Sequence, residues 1–129
     1  MIKTIMLVGT GGFIGSVSRY FLSRMIQSFF PVVFPYGTLA VNVLGCFLIG
    51  FILGLAENDL VLPEWRLFLA TGFCGGFTTF STFADENINL YLEKEYFYLL
   101  LYATISYVIG IAAVWVGIVV SKLIMHHGN

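Results

Sequence analysis

The sequence has few charged residues. Its 129 residues include 6 Lys and Arg and 7 Asp and Glu, which gives a net charge of −1. Charged side chains make up 10% of the chain and hydrophobic ones 59%, and the mean hydropathy is +0.94. Soluble domains carry about 25% charged residues. The composition therefore excludes an ordinary soluble domain and favours a membrane protein, for which we expect no nucleic-acid partner.

Cysteine and histidine are also scarce, with 2 copies of each. Cys46 and Cys74 fall within apolar runs and follow no redox or metal-binding pattern, so we interpret them as small packing residues. His126 and His127 are adjacent near the end of the chain and are interpreted as a polar tail. These absences leave no metal site built from side chains and no disulfide framework.

Acidic residues are missing from the first part of the chain, since no Asp or Glu occurs before Glu57. Gly9, Gly12 and Gly15 follow an apolar run and resemble a dinucleotide-binding glycine turn, but that fold requires an acid about 20 residues further on. The same absence argues against a proton-coupled transporter that carries its proton on a carboxylate in the first two spans. Because no phosphate loop is present either, nothing in the sequence resembles an energy-coupling site, and we predict a protein that is not an enzyme.

Long apolar runs organise the chain. A helix of about 20 residues crosses about 30 Å of hydrocarbon, and suitable runs lie at 4–26, 36–56 and 97–124. A weaker run at 66–92 is interrupted by glycines and turns polar after Phe83. We predict an all-α protein with one domain, 1–129, of four transmembrane helices, the third broken at mid-membrane, in the cytoplasmic (inner) cell membrane as a multi-pass protein.

Basic residues are nearly balanced between the two ends of the predicted helices. One end carries Lys3, Arg66 and Lys122, and the other carries Arg24 and Lys94, with Arg19 nearby inside the first span. Basic residues normally hold loops on the cytoplasmic side. The chain could therefore insert in both directions and pair as an antiparallel dimer, or keep one topology with a weak signal. The charges alone favour neither alternative.

Glycines recur four residues apart in three of the predicted helices. The pairs are Gly11 and Gly15, Gly50 and Gly54, and Gly72 and Gly76. This spacing lets helices approach closely. We expect tight packing at these positions, and the pattern favours oligomerisation.

The glycine-broken helix is the candidate site. Irregular backbone within a membrane must be buried in protein or line a wet cavity. Unwinding near Gly75 and Gly76, with a restart around Thr78 or Thr79, would free carbonyls for a small hard cation such as Na⁺ and amides for an anion. Thr79 or Ser81 is available to cap the second half-helix.

Aromatic and hydroxyl side chains follow this break. Phe80 and Phe83 are three residues apart and share a helix face. Because the edge of a phenyl ring is positive, two rings turned edge-on can approach a small anion. Ser81 and Thr82 add hydroxyl donors on neighbouring faces. The alternative is that both phenylalanines are ordinary packing residues.

Three further polar residues lie within predicted spans. Asn42 sits in the middle of the second span, where an amide packs against another helix or serves a site. Arg19 is either a snorkelling side chain or an anion attractor at a pore entrance. Glu86 is either part of a gate or a solvated helix end.

The run at 72–83 resembles the signature of the Fluc (CrcB-type) fluoride channels. The run at 37–42, which ends in Asn42, is similar to the second-helix motif of that family, and residues from Gly12 to Arg19 are similar to its first-helix pattern. Length and the layout of four spans agree as well. The resemblance therefore covers essentially the whole chain.

This resemblance implies passive, selective export of fluoride by an antiparallel, dual-topology homodimer with two ion pathways. It implies a structural sodium ion at the dimer centre, held by the backbone carbonyls of Gly75 and Thr78. The implied fluoride pathway comprises Arg19, Asn42, Phe80, Ser81, Thr82, Phe83, Glu86 and Tyr107. Where some members have a serine, this chain has Ile111, so Tyr102 or Ser106 is the expected substitute hydroxyl.

Two other functions are compatible with parts of the sequence. A small dual-topology multidrug/proton exchanger would require a membrane-embedded carboxylate early in the chain. A membrane scaffold subunit would explain the glycine pairs, but it would give Asn42, Phe80 and Phe83 no functional role.

Overall fold

The computed structural model describes residues 1–128, in which every regular element is a helix and no strand occurs. Helix α1 covers Ile2–Phe29, α2 covers Tyr36–Ala56 and α5 covers Tyr96–His127. Between them lies an interrupted helix that consists of α3, at 63–77, and α4, Phe80–Leu92. Asn129, the last residue of the predicted domain, lies outside the described part.

The prediction of an all-α chain with four potential spans is confirmed within residues 1–128. Each of the four spans, with the interrupted helix at Pro63–Leu92 taken as one, contains an 18-residue window apolar enough for a membrane. Proline residues mark the helix ends, since Pro35 precedes α2 and Pro63 opens α3. At about 1.5 Å per residue, α5 is about 48 Å long and exceeds the hydrocarbon thickness by several turns.

The predicted close packing at the glycine pairs is confirmed, and it occurs within one chain. A Cβ added to Gly15 would overlap the carbonyl oxygen of Phe73, and one added to Gly72 would lie 2.9 Å from the carbonyl oxygen of Val8. The second interface joins α2 to α5, where a Cβ on Gly50 would lie 3.0 Å from the Cα atom of Val114. The glycines thus bring α1 against α3 and α2 against α5, backbone to backbone.

Helix α3 changes its hydrogen-bonding period along its length. Residues Pro63–Arg66 are α-helical, Leu67–Cys74 form a π-helix, and Gly75–Phe77 return to the α form. A π-helical stretch of this length is rare and is often found at functional sites. The sequence contains no signal that predicts it.

The helix is interrupted two residues later than the expected unwinding point. Gly75 and Gly76 keep helical dihedral angles, and the chain becomes extended at Thr78 (φ −92°, ψ 157°) and Thr79 (φ −148°, ψ 118°). Gly76 packs closely on Gly12 instead, since a Cβ added to Gly76 would lie 3.1 Å from the Cα atom of Gly12. The chain therefore leaves the helix just after these two glycines and restarts at Thr79, as expected, whereas the glycines themselves stay helical. Gly76 serves helix packing, and Gly75 has no neighbour within 4 Å of its Cβ position among the described residues.

Two buried clusters hold the helices at opposite ends. Phe34, Leu90 and Tyr102 form one of them, close to the connection between α1 and α2. Ile52, Ala70 and Cys74 form the other, between α2 and α3. The interruption at 78–79 lies between these clusters, so both halves of the broken helix are anchored by apolar packing.

Candidate functional site

The side-chain amide of Asn42 on α2 bonds to the interrupted backbone. Its Oδ1 accepts from the backbone N–H of Thr79 at 2.8 Å, and its Nδ2 donates to the carbonyl oxygen of Thr79 at 3.2 Å. The Asn42 amide thus satisfies both backbone polar groups of Thr79 at the point where the chain has left the helix. Nδ2 carries two hydrogens, so one remains for another acceptor.

Thr79, one of the two caps expected from the sequence, is the N-cap of α4. Its Oγ1 accepts from the backbone N–H of Thr82 at 3.2 Å and donates to the Thr82 hydroxyl at 3.1 Å. The Ser81 hydroxyl lies 3.4 Å from the same oxygen. These hydroxyls gather at the start of α4, where the free N–H groups of a helix favour negative charge.

The interruption diverts amides away from two carbonyl groups. In an unbroken helix the N–H of Thr79 would bond to the carbonyl of Gly75, and the N–H of Thr82 would bond to that of Thr78. Here those amides donate to Asn42 and to the Thr79 hydroxyl. The carbonyls of Gly75 and Thr78 are thereby left without their helical partners, which makes them suitable ligands for a hard cation.

Arg19 on α1 reaches the end of α3. Its Nε donates to the carbonyl oxygen of Gly76 at 3.0 Å. A guanidinium group at the carboxyl end of a helix is stabilised by the helix dipole and bonds to a carbonyl that the interruption has freed. Arg19 is therefore half-buried and held against the broken helix.

Phe80 and Phe83 lie side by side on α4. Their ring centroids are 5.8 Å apart with an interplanar angle of 41°. Phe80 is 80% exposed, whereas Phe83 is half-buried against Tyr102 at 5.0 Å. The shared face predicted from their spacing is confirmed.

A groove of about 720 Å³ runs along the interruption and is open on one side. Most of its wall is apolar, and it is lined in part by Asn42, Cys46, Gly75, Thr78, Phe80, Phe83, Ser106 and Tyr107. Among the described residues, nothing lies within 4 Å of the position that a Cβ on Gly75 would take. The surface of Gly75 is therefore open toward this groove.

Glu86 lies two turns along α4 from Phe80, outside the groove. Its Oε1 accepts from the hydroxyl of Tyr102, which is fully buried, at 3.2 Å. It also lines two polar openings of about 370 and 400 Å³. One is bounded by Pro31, Pro35 and Glu93, and the other by Arg24, Gln27 and Thr38.

The structure gathers most of the candidate residues around the groove. Asn42, Gly75, Thr78, Phe80, Phe83 and Tyr107 all line it. Ser81 and Thr82 lie at the start of α4 beside them, Arg19 approaches from the side of α1, and Glu86 stands apart at the polar openings. Whether each of them contacts an ion remains a prediction.

The two substitute hydroxyls differ in their surroundings. The Tyr102 hydroxyl is engaged with Glu86. The hydroxyl of Ser106 is buried on the wall of the groove and has no hydrogen-bond partner among residues 1–128. Ser106 is therefore better placed than Tyr102 to supply the hydroxyl that Ile111 lacks.

Sequence reasoning missed Gln27 and Thr38, which surround the openings next to Glu86. A glutamine in the last turn of α1, followed closely by Pro31, is a usable signal because its amide can bond to the backbone of the turn. Thr38 carries no signal of its own, since one buried threonine in an apolar helix is common.

Comparison with known proteins gives consistent matches over most of the chain. A family model described as "CrcB-like protein, Camphor Resistance (CrcB)" matches residues 6–118. The fluoride-specific ion channel FluC of Chlorobium phaeobacteroides (strain BS1) is 51% identical over 120 residues, which cover 92% of this chain and 93% of that protein.

Two further proteins described in the same words are also similar. That of Flavobacterium psychrophilum is 40% identical over 121 residues, 93% of this chain and 98% of the other. That of Azobacteroides pseudotrichonymphae is 45% identical over 123 residues, 95% of this chain and 98% of the other. These similarities run through the interrupted helix and the groove.

Proposed function

The chain belongs to the CrcB-like family, and from this premise we propose that it is a fluoride-selective ion channel that exports fluoride passively across the cell membrane. Its relatives from three bacteria are described as fluoride-specific ion channels. The long apolar helices make it a multi-pass protein of the cell membrane. HF enters a cell as a neutral acid and dissociates inside. The fluoride that it releases is then trapped, and passive export removes it.

One observation supports this function above the others, namely the arrangement at the start of α4. Two phenyl rings 5.8 Å apart border a cluster of hydroxyls at a helix N-terminus. Ring edges, hydroxyl hydrogens and the helix terminus all present partial positive charge without a full cation. A small anion is attracted by such a site, and the groups at the start of α4 carry no full counter-charge that would trap it there.

Asn42 adds one donor to this path. One hydrogen of its Nδ2 is used on the carbonyl oxygen of Thr79, and the other is available to a passing anion. Ser106 and Tyr107 provide further hydroxyls on the wall of the groove, and Arg19 supplies a positive charge beside the broken helix. In this proposal the helix break, Asn42 and the rings act together on the ion.

We further propose that the carbonyls of Gly75 and Thr78 hold a structural sodium ion. The loss of their helical partners and the open surface at Gly75 support this assignment. Carbonyl oxygens suit a hard cation, and two ligands from one chain are too few to enclose it. A second copy would have to supply the rest.

The proposed assembly is an antiparallel, dual-topology homodimer that closes the groove. A groove of about 720 Å³ with an apolar wall, facing the interruption, is a surface that a second chain can cover. The break lies midway between Pro63 and Leu92, which places it at mid-membrane if these residues span the bilayer. Exposed polar backbone at that depth needs a protein partner.

Anion efflux from liposomes that contain the purified protein tests the function. We expect rapid efflux of fluoride and little efflux of chloride, measured with ion-selective electrodes. Replacement of Phe80→Ile together with Phe83→Ile should abolish fluoride efflux, because the aliphatic side chains offer no positive edge.

Phe13→Ile with Phe21→Ile is the matched control, since both rings are 69% exposed on α1 and lie outside the groove. Efflux of protons or organic cations without fluoride would favour an exchanger. No efflux of any ion would favour a scaffold subunit.

A further inference from the structure

The turn between α1 and α2 is held by one side chain, that of Gln27. Its Nε2 lies 3.0, 3.4 and 3.2 Å from the carbonyl oxygens of Phe30, Val32 and Phe34, and these three acceptors share its two hydrogens. Its Oε1 accepts from the backbone N–H of Gly37 at 3.0 Å. A single amide therefore ties the end of α1 to the turn and to the first turn of α2.

This turn places Phe34 in the buried cluster near α4. Phe34 is 5% exposed, and its ring meets the ring of Tyr102 at 5.6 Å and 75°, an edge-to-face contact. Edge-to-face pairs of buried aromatic rings are favourable and fix ring orientation. The position of Phe34 depends on the turn, because its own carbonyl oxygen is one of the Gln27 acceptors.

Tyr102 connects this cluster to the proposed ion path. Its ring lies 5.0 Å from that of Phe83, and its hydroxyl donates to Glu86 at 3.2 Å. Tyr102 is fully buried and close-packed, so a movement of Phe34 is transmitted to its neighbours. Three rings, from Phe34 through Tyr102 to Phe83, thus form a continuous contact from the turn to the groove.

We propose that Gln27 is a positioning residue for the ion path, acting through Phe34 and Tyr102 on the ring of Phe83 and the carboxyl group of Glu86. The inference rests on the proposed channel function. Gln27 does not line the groove, and its amide is engaged with the backbone of the turn. Its task is to keep the turn in the one conformation that supports the orientation of the Phe83 ring.

The test variant is Gln27→Met, which keeps the length of the side chain and removes its hydrogen bonds. Single-channel recording in fluoride solution separates positioning from folding, because a fold defect changes the number of active channels and leaves the current of each unchanged. We expect the unitary fluoride current to fall about fivefold, a usual size of effect for a residue that acts through its neighbours.

Ser28→Ala is the matched control on the next residue of α1, because the Ser28 hydroxyl bonds only within its own helix, to the carbonyl oxygen of Met25. Phe34→Leu leaves the Gln27 hydrogen bonds in place and should lower the unitary current by a similar factor. The double variant should be no worse than the more affected single variant, since both act through one contact.

A second measurement does not depend on conduction. With 4-fluorophenylalanine in place of Phe83, the ¹⁹F resonance should move in Gln27→Met and Phe34→Leu and stay unchanged in Ser28→Ala. A wild-type unitary current in Gln27→Met, or an unmoved resonance, would overturn the inference. If the wild-type protein conducts no fluoride, the proposed function fails, and the resonance alone decides whether Gln27 positions Phe83.

Discussion

Asn42 shows how one residue can be identified from sequence while its contacts cannot. A lone amide in the middle of an apolar helix indicates either a helix contact or a site. The structure pairs this amide with the backbone of Thr79, in both directions. That pairing depends on where the broken helix leaves its ladder, which the sequence places only within a few residues.

Asn42→Asp should block fluoride conduction. A carboxylate cannot donate to the carbonyl oxygen of Thr79, and its negative charge would repel both that oxygen and a passing anion. Fluoride efflux from liposomes measures the loss. Asn58→Asp is a suitable control, because the Nδ2 of Asn58 also donates to a carbonyl oxygen, that of Gly54, but lies at the connection after α2. Wild-type efflux in Asn42→Asp would refute its place at the path.

Lys94 is the residue with the clearest backbone strain. Its φ of 61° lies in the left-handed region at the end of α4, where the N–H of Glu95 bonds to the carbonyl oxygen of Leu90 at 2.8 Å. Helices often end in this way with glycine at the left-handed position. This chain has lysine there.

Lys94→Gly should stabilise the protein by about 0.5 to 1 kcal/mol, because the strain of a side chain at positive φ exceeds the extra backbone entropy of glycine. Thermal unfolding in detergent measures the change. Lys94→Ala removes the same charge but keeps the Cβ, so it should bring no gain. An equal gain in both variants would assign the effect to charge.

At the scale of the helices, the sequence predicted that the third helix is broken, but not which residues leave the helical conformation. Three glycines within 72–76 indicated an interrupted helix, and Thr79 was correctly named as a possible cap. The same glycines stay helical, and two of them, Gly72 and Gly76, pack on α1. Glycine allows both unwinding and close approach, and only the neighbouring helix decides which of the two occurs.

Gly15→Ala should destabilise the protein by about 1 to 3 kcal/mol, the usual range for overpacking. Its new methyl group would overlap the Phe73 carbonyl, which is backbone and cannot turn aside. Gly9→Ala is the control on the same helix, since nothing among the described residues lies within 4 Å of its Cβ position. That variant should be neutral or slightly stabilised, because alanine favours helix more than glycine. Unfolding by denaturant in micelles gives both values.

For the molecule as a whole, the helix count and the apolar spans followed from the sequence, because bilayer thickness constrains them directly. The groove did not, since it arises from packing of α2, α3, α4 and α5 around the interruption. The turn held by Gln27 did not follow from the sequence either, because the acceptors of the Gln27 amide are backbone carbonyl oxygens. Side-chain identity predicts how residues pair in a helix, but it does not fix the path of a connecting turn.

Added positive charge should force the chain into one orientation and so inactivate it. Glu93→Lys with Glu95→Lys and, separately, Glu57→Lys with Asn58→Lys add lysines to opposite ends of the helices. Each variant expressed alone should lose fluoride efflux, and co-expression of the two should restore it, because only the mixture contains both orientations. Accessibility of an introduced cysteine from each side of the membrane reports orientation. Full activity of either variant alone would argue against an antiparallel assembly.

The backbone contact between α1 and α3 has a consequence for how this gene can evolve. Gly11 and Gly15 are the buried residues of α1, while its large side chains, such as Phe13 and Phe21, face outward. Exchanges among apolar residues there change little, because lipid accepts any of them. Selection therefore acts most strongly on the positions that have no side chain, so a saturation-mutagenesis map of α1 should show its deepest intolerance at its smallest residues.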